Sequence, residues 1–210
     1  MTIIASTETR IVDAMRADDW ATVDALAAEL DRLHTLQPVQ PAPQPANTAL
    51  WYAQHQIPVF PCWPGGTRDH TGKPRDKQPM TRSGFKQATT SADQIRDWWT
   101  RCPQANVALA TGHRMDVVDL DGPEAIHAWG QLVDAPPVLA VVKTPRPGGW
   151  HLWVPVSGRG NRANMLTHVD YRGRGGYVLA PPSRVEEATY QGRYRFTSPP
   201  LFLQQREVAA

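Results

Sequence analysis

Two aspartates, Asp119 and Asp121, stand two residues apart at the end of the run Met115-Asp-Val-Val-Asp-Leu-Asp-Gly122. Alternate residues of a β-strand share a face, so on a strand both carboxylates point the same way. Val117, Val118 and Leu120 give the run the apolar character of a core strand. Two like charges side by side there are costly unless a cation or a proton separates them. A divalent metal site is one economical explanation. The other is a strand that runs into an Asp-Gly turn, with Asp121 capping a helix that starts near Pro123.

Further polar residues interrupt apolar strands downstream. His151 lies in Trp150-His-Leu-Trp-Val154 and Asp170 in Val169-Asp-Tyr-Arg172. Each alone is weak, since a lone histidine is more often a satisfied core residue and a lone aspartate a turn former. Their company is the signal. Gly148 and Gly149 let the backbone approach a ligand closely, and Lys143, Arg146, Arg172 and Arg174 stand within a few residues of His151 or Asp170. Clustered carboxylates call for cations, and the cations beside them call for an anion; a metal-bound triphosphate satisfies both. Oxygen donors without nearby cysteines suit Mg²⁺ or Mn²⁺ better than zinc. No Gly-x-x-x-x-Gly-Lys-Ser/Thr sequence is present, which argues against a P-loop ATPase.

The elements that must position these groups follow from periodicity. Residues 7–35 carry two short apolar stripes, Ile11, Val12 and Met15, then Trp20, Val23, Leu26, Ala27, Leu30 and Leu33, separated at Asp18-Asp19; this predicts a helical hairpin. Four prolines between residues 37 and 46 predict an extended spacer. We therefore expect a helical appendage over 1–36, a proline-rich linker over 37–47 and a main domain over 48–205. That domain should open with a helix from Ala49 to Gln54 and a strand from Ile57 to Phe60. The polar loop 65–77 reads first as a solvated surface loop, with a nucleotide- or template-facing segment as the alternative. Ser91-Ala-Asp-Gln94 is a capping box for a helix to Arg101, whose Trp98-Trp99 pair reads as core packing rather than a stacking platform. Strands are expected at 106–111 and 116–121, joined by a tight turn at Gly112, then a helix from Pro123 to about Val133. A hairpin of 138–143 and 150–154 follows, and a strand pair 169–172 and 177–180 flanks a glycine-rich bend. Mixed helices and antiparallel hairpins in this order give an α+β (α/β) domain.

Composition bounds the rest. With 22 Lys and Arg against 20 Asp and Glu the net charge is only +2, so the chain is no polycation and any nucleic-acid surface must come from local clustering. Cys62 and Cys102 are too few for a disulfide framework or a four-cysteine zinc site, and free thiols in a reducing compartment are expected. The absence of a membrane-length apolar run and of a signal-like N-terminus leads us to expect a soluble, cytoplasmic protein (host cytoplasm if phage-encoded), with no membrane partner.

The order Asp119-Leu-Asp121, Gly148-Gly-Trp-His151, Val169-Asp170 resembles the three motifs of the archaeo-eukaryotic primase superfamily. It is most similar to the bifunctional primase-polymerase domains at the N-termini of plasmid and phage replication proteins. Pro58-Val-Phe-Pro61, Gly72-Lys73-Pro74, Gly84-Phe-Lys86 with Ala88-Thr89, Pro103-x-Ala-Asn106 and Gly175-Gly-Tyr-Val-x-Ala-Pro-Pro-Ser183 fit the same family, so the resemblance spans about Ala49 to Phe202. It implies a catalytic cleft between an α/β subdomain and a second subdomain with an RNA-recognition-like sheet. By the same resemblance Asp119, Asp121 and Asp170 would bind two catalytic ions, and His151 would contact the triphosphate of the incoming nucleotide. To these we add as nucleotide-binding residues Lys143, Arg172 and Arg174, for charge and proximity, and Gly148 and Gly149, whose backbone can come close to a ligand. Many relatives carry Ser where Gly149 stands, and the zinc-binding stem of some relatives has no counterpart here.

The implied activity is DNA-dependent nucleotidyl transfer that makes primers on single-stranded DNA and extends them. Its partners would be template, primer strand and nucleoside triphosphates; a helicase in the same or another chain is compatible with it. Two alternatives stand beside it: a catalytically inactive nucleic-acid-binding or replication-initiation module on the same fold, and a metal-dependent nuclease or phosphotransferase.

Overall fold

The computed structural model describes residues 3–17, 19–35 and 44–198. The break at Asp18 and most of the expected spacer, through residue 43, lie outside the described residues, as does everything from 199 on. Ile3–Arg16 (α1) and Trp20–Thr35 (α2) form the expected helical pair. Helix α3 (Pro45–Gln54) starts earlier than its apolar pattern suggested, because Pro45 occupies the first turn, where a missing N–H costs nothing. Strand β1 (Val59–Cys62), α4 (Ala92–Arg101), β2 (Asn106–Ala110), β3 (Asp116–Asp121) and α5 (Pro123–Gly130) follow. Then come β4 (Ala140–Lys143), β5 (Gly149–Val154), β6 (Arg162–Leu166), β7 (Val169–Arg172) and β8 (Tyr177–Leu179). The described chain ends with β9 (Arg184–Glu186), β10 (Gln191–Arg193) and β11 (Arg195–Ser198).

Helices and antiparallel sheets together make the α+β class expected from the sequence. A six-stranded sheet has the order β11-β4-β5-β3-β7-β6, a three-stranded sheet the order β1-β2-β8, and β9 and β10 form a small hairpin. Alternation along β3 and β5 divides the apolar residues of the large sheet between two clusters. Val117, Val142 and Trp153 pack with α3, α4 and the three-stranded sheet. Val118, Leu120, Val141 and Leu152 pack with α5 and with Ile11, Met15, Val23, Leu26 and Leu30 of the N-terminal helices. Trp99 is buried and its indole N–H donates to the carbonyl of Ala105, so the tryptophan pair of α4 is core packing.

Two expected strand pairs are corrected. β2 and β3 form no hairpin across Gly112, and β7 and β8 do not pair; each couple instead sends one strand to each sheet. The two crossings run side by side, with Thr111 N–H donating to Gly176 O at 3.0 Å and the Thr111 hydroxyl to Gly173 O at 2.6 Å. Gly112 is required there: its φ is +83°, and a Cβ would lie 2.5 Å from Arg174 Cα. Helix α5 also ends at Gly130, short of the expected Val133. Cys62 is buried, Cys102 half-buried, and both are free. Among the described residues no helix is long and apolar enough to cross a membrane.

Candidate active site

Strand register builds the floor of the site. Asp119 on β3 lies directly opposite His151 on β5 and Asp170 on β7, and Asp121 lies opposite Gly149. Partners in register share a face, so the carboxylates and the imidazole stand in one row across three adjacent strands. Val117, two residues earlier on the same face, is in the core beneath the three-stranded sheet. From there β3 emerges into a cleft: the Asp119 side chain is 19% exposed and that of Asp121 42%.

Basic side chains flank each carboxylate. His151 Nε2 is 3.4 Å from Asp119 Oδ1, and Arg172 lies 2.7 Å from Asp170 and 3.9 Å from Asp119. Arg146 Nε is 2.9 Å from Asp121 Oδ1, so Asp121 does not cap α5; the N-cap is Gly122, without a side-chain bond. Asn164 N–H, on β6, donates to the other oxygen of Asp170 at 2.8 Å. Burial pushes Asp119 up, but His151 and then Arg172 outweigh it and hold this carboxyl below its usual range. Asp121 is raised, by burial first and by the Asp119 charge second, against the pull of Arg146. Two buried polar atoms in this region, His151 Nδ1 and Thr144 Oγ1, have no hydrogen-bond partner among the described residues.

The cleft has a volume of about 350 Å³, and its other walls are aromatic and cationic: Phe85, Tyr177, Tyr190, Tyr194 and Lys77. Lys77 is placed by a buried network. Asn106 donates to the carbonyls of Asp76 and Arg184 at 3.0 and 2.7 Å, and the Asp76 carboxylate accepts the Glu186 N–H at 2.6 Å. These bonds tie the end of the 65–77 loop to β9, and Lys77 then donates to Tyr190 Oη at 2.7 Å and pairs with Glu187 at 3.0 Å. Burial pulls Lys77 down, but those two partners outweigh it and raise it above its ordinary value. Tyr194 sits 5.4 Å from the His151 ring, and burial pushes its hydroxyl well up.

Residues 49–210 match the family model described as bifunctional DNA primase/polymerase, N-terminal. The chain belongs to this family. The match covers both sheets and the whole cleft and leaves α1 and α2 outside it. No curated protein matches the chain.

Of the family-motif residues expected at the site, the fold brings together Asp119, Asp121, His151 and Asp170, with Arg172 beside them. Gly149 joins them as backbone opposite Asp121. Three of the expected nucleotide-binding residues stand apart from this row. Lys143 pairs in register with Trp150, on the opposite face, and its ammonium lies 4.7 Å from that indole ring while donating to the carbonyls of Arg146 and Gly149. Gly148 faces the start of α5, where a Cβ would come 2.7 Å from Pro123. Arg174 is exposed outside the cleft, its backbone N–H donating to Arg159 O. Sequence reasoning missed Thr144, Tyr177, Tyr190 and Tyr194 as cleft residues, and had Lys77 only as the end of a loop facing either solvent or a nucleotide or template. Only Tyr177 lay in a quoted motif, and nothing in its type marked it as a wall. Among the described residues no three His, Cys, Asp or Glu side chains already converge as ligands of one ion; arginines stand between the carboxylates.

Proposed function

We propose that the cleft performs template-directed nucleotidyl transfer, in which a 3′-hydroxyl attacks the α-phosphate of an incoming nucleoside triphosphate and releases pyrophosphate. On this reading the enzyme makes primers on single-stranded DNA and extends them. The observation that carries it is the row Asp121, Asp119, His151 and Asp170 on a cleft floor, facing a wall of tyrosines and cations. Family membership supports primase and polymerase chemistry in general; the roles of single residues are our reading.

Asp119, Asp121 and Asp170 would hold two ions of Mg²⁺ or Mn²⁺, in the manner of hard oxygen-donor sites. The fit rests on this site: the donors are carboxylate oxygens, neither cysteine lines the cleft, and the Asp121 carboxyl is raised by burial first and by its like-charged neighbour second, both of which a cation placed there would offset. Bound there, such ions would supply positive charge for the leaving pyrophosphate and would lower the pKa of the attacking hydroxyl. His151, packed against Tyr194 and tied to Asp119, is positioned to contact the triphosphate. Tyr177, Tyr190 and Phe85 offer faces on which a base can stack, and such stacking tolerates any sequence. Exposed Arg159, Arg162 and Arg174 along the β6–β7 edge suit the phosphates of a template strand.

Extension of a labelled primer on a DNA template tests this reading against hydrolysis. Incorporation that follows the template base and requires triphosphate supports transfer. Shortening of the primer without triphosphate would make the site a nuclease.

A further inference from the structure

The turn between β4 and β5 places two groups on the cleft that the family motifs do not include. Thr144 N–H donates to Gly149 O at 3.1 Å and Gly149 N–H to Arg146 O at 2.9 Å, closing the turn on itself. Pro145 and Pro147 flank Arg146 and limit its backbone. The Thr144 hydroxyl fills the space over Gly149: a Cβ at 149 would collide with Thr144 Oγ1 and lie 3.0 Å from Arg146 Cβ. Thr144 is 6% exposed, lines the cleft, and its hydroxyl has no partner among the described residues. A buried hydroxyl left unpaired costs free energy, so a group that pairs it on binding gains it back. Arg146 lies beside it and, among the described residues, has one carboxylate partner, Asp121.

We propose that Thr144 and Arg146 form a phosphate-chain subsite, in which Arg146 exchanges Asp121 for a ligand phosphate when a divalent cation takes that carboxylate. Thr144 then supplies a hydroxyl to the same phosphate. A guanidinium released from a carboxylate needs a new anion, and the hydroxyl beneath it adds a directed donor. Metal and triphosphate binding are thereby coupled through one side chain. The inference rests on the reading of the cleft as a nucleotidyl-transfer site.

The test uses the full chain and two ligands, Mn²⁺ followed by electron paramagnetic resonance and dATP or inorganic tripolyphosphate followed by calorimetry in Mn²⁺. Arg146→Gln is expected to bind Mn²⁺ alone at least as tightly as wild type and to lose about tenfold in affinity for both phosphate ligands. Thr144→Val keeps the shape and drops the hydroxyl. It should leave Mn²⁺ binding unchanged, weaken both phosphate ligands about fivefold or more, and melt no lower than wild type, while Thr144→Ser restores affinity. Phosphate affinities within twofold of wild type in both variants would overturn the subsite and leave the reading of the cleft standing. A Thr144→Val protein that melts lower would make the hydroxyl structural and overturn its part. Wild type that binds no dATP in Mn²⁺ would overturn the cleft reading and the subsite with it.

Discussion

Asp119 and Asp121 are the same side chain on the same face of one strand, yet their surroundings push them in opposite directions. Asp119 is held low by His151 and Arg172; Asp121 is raised by burial and by Asp119. A carboxyl lowered in the fold stabilises it at pH above the unfolded value of about 4, and this contribution is lost as pH falls through the folded value. A raised carboxyl does the reverse: its ionised form costs stability above the raised value, and the cost disappears on acidification. We therefore expect Asp119→Asn to melt lower than wild type at pH 7 in chelator. Asp121→Asn should melt level or higher by on the order of 2 °C, screening keeping the gain small. Both differences should shrink as pH is lowered below 4, and melts at the two pH values check the signs. Equal destabilisation by both substitutions would contradict this electrostatic account. These two residues, with His151 and Asp170, were legible in the sequence because polar side chains interrupt apolar strands at motif spacing. Lys143 misled because nearness along the chain says nothing about which face of a hairpin a side chain takes; register with Trp150 sends it to the far side.

At the scale of elements, the cleft exists because two crossings between the sheets run side by side at Thr111–Gly112 and Gly173–Gly176. Gly112→Ala forces a Cβ against the Arg174 backbone at positive φ and is expected to cost about 2–4 kcal/mol, read by urea unfolding. A value near zero would mean that the crossing can spread at no cost. The outer face of the large sheet depends on the helical pair: Leu30 is 1% exposed in the cluster that holds Val118 and Leu120. Leu30→Ala should cost about 2–4 kcal/mol by the same measurement, and a loss under about 0.5 kcal/mol would show that α2 adds little to the core. Strands with alternating or continuous apolar residues, such as β3 and β5, were readable. β6 was not, since it is an exposed edge of Arg-Ala-Asn-Met-Leu with an irregular register and Asn164 at φ +46°. β9 and β10 are three residues each, too short to show a period. The hairpin expected across Gly112 failed for a different reason: a tight turn fixes the chain's direction locally, while sheet membership is decided by partners far along the sequence.

For the whole molecule, a net charge of +2 gives little general attraction to nucleic acid, so on the proposed function template binding would rest on the exposed arginines along one edge. Replacing Arg159, Arg162 and Arg174 by Gln should reduce the slope of log affinity for single-stranded DNA against log salt by about 2, given roughly 0.7 per phosphate contact. An unchanged slope would place the template elsewhere. The fold class was legible from the order of elements, whereas the aromatic wall was not, because Tyr190 and Tyr194 come to the cleft through the β9–β10 hairpin from outside every motif. The central claim is that this carboxylate row catalyses nucleotidyl transfer, and primer synthesis on unprimed single-stranded DNA tests it most directly. Wild type and an Asp119→Ala/Asp121→Ala variant would be compared with all nucleoside triphosphates in Mg²⁺ and in Mn²⁺. The account predicts metal-dependent oligonucleotides from wild type and none from the folded variant. Equal product from both, or none from a folded wild type that binds nucleotide in either metal, would contradict it.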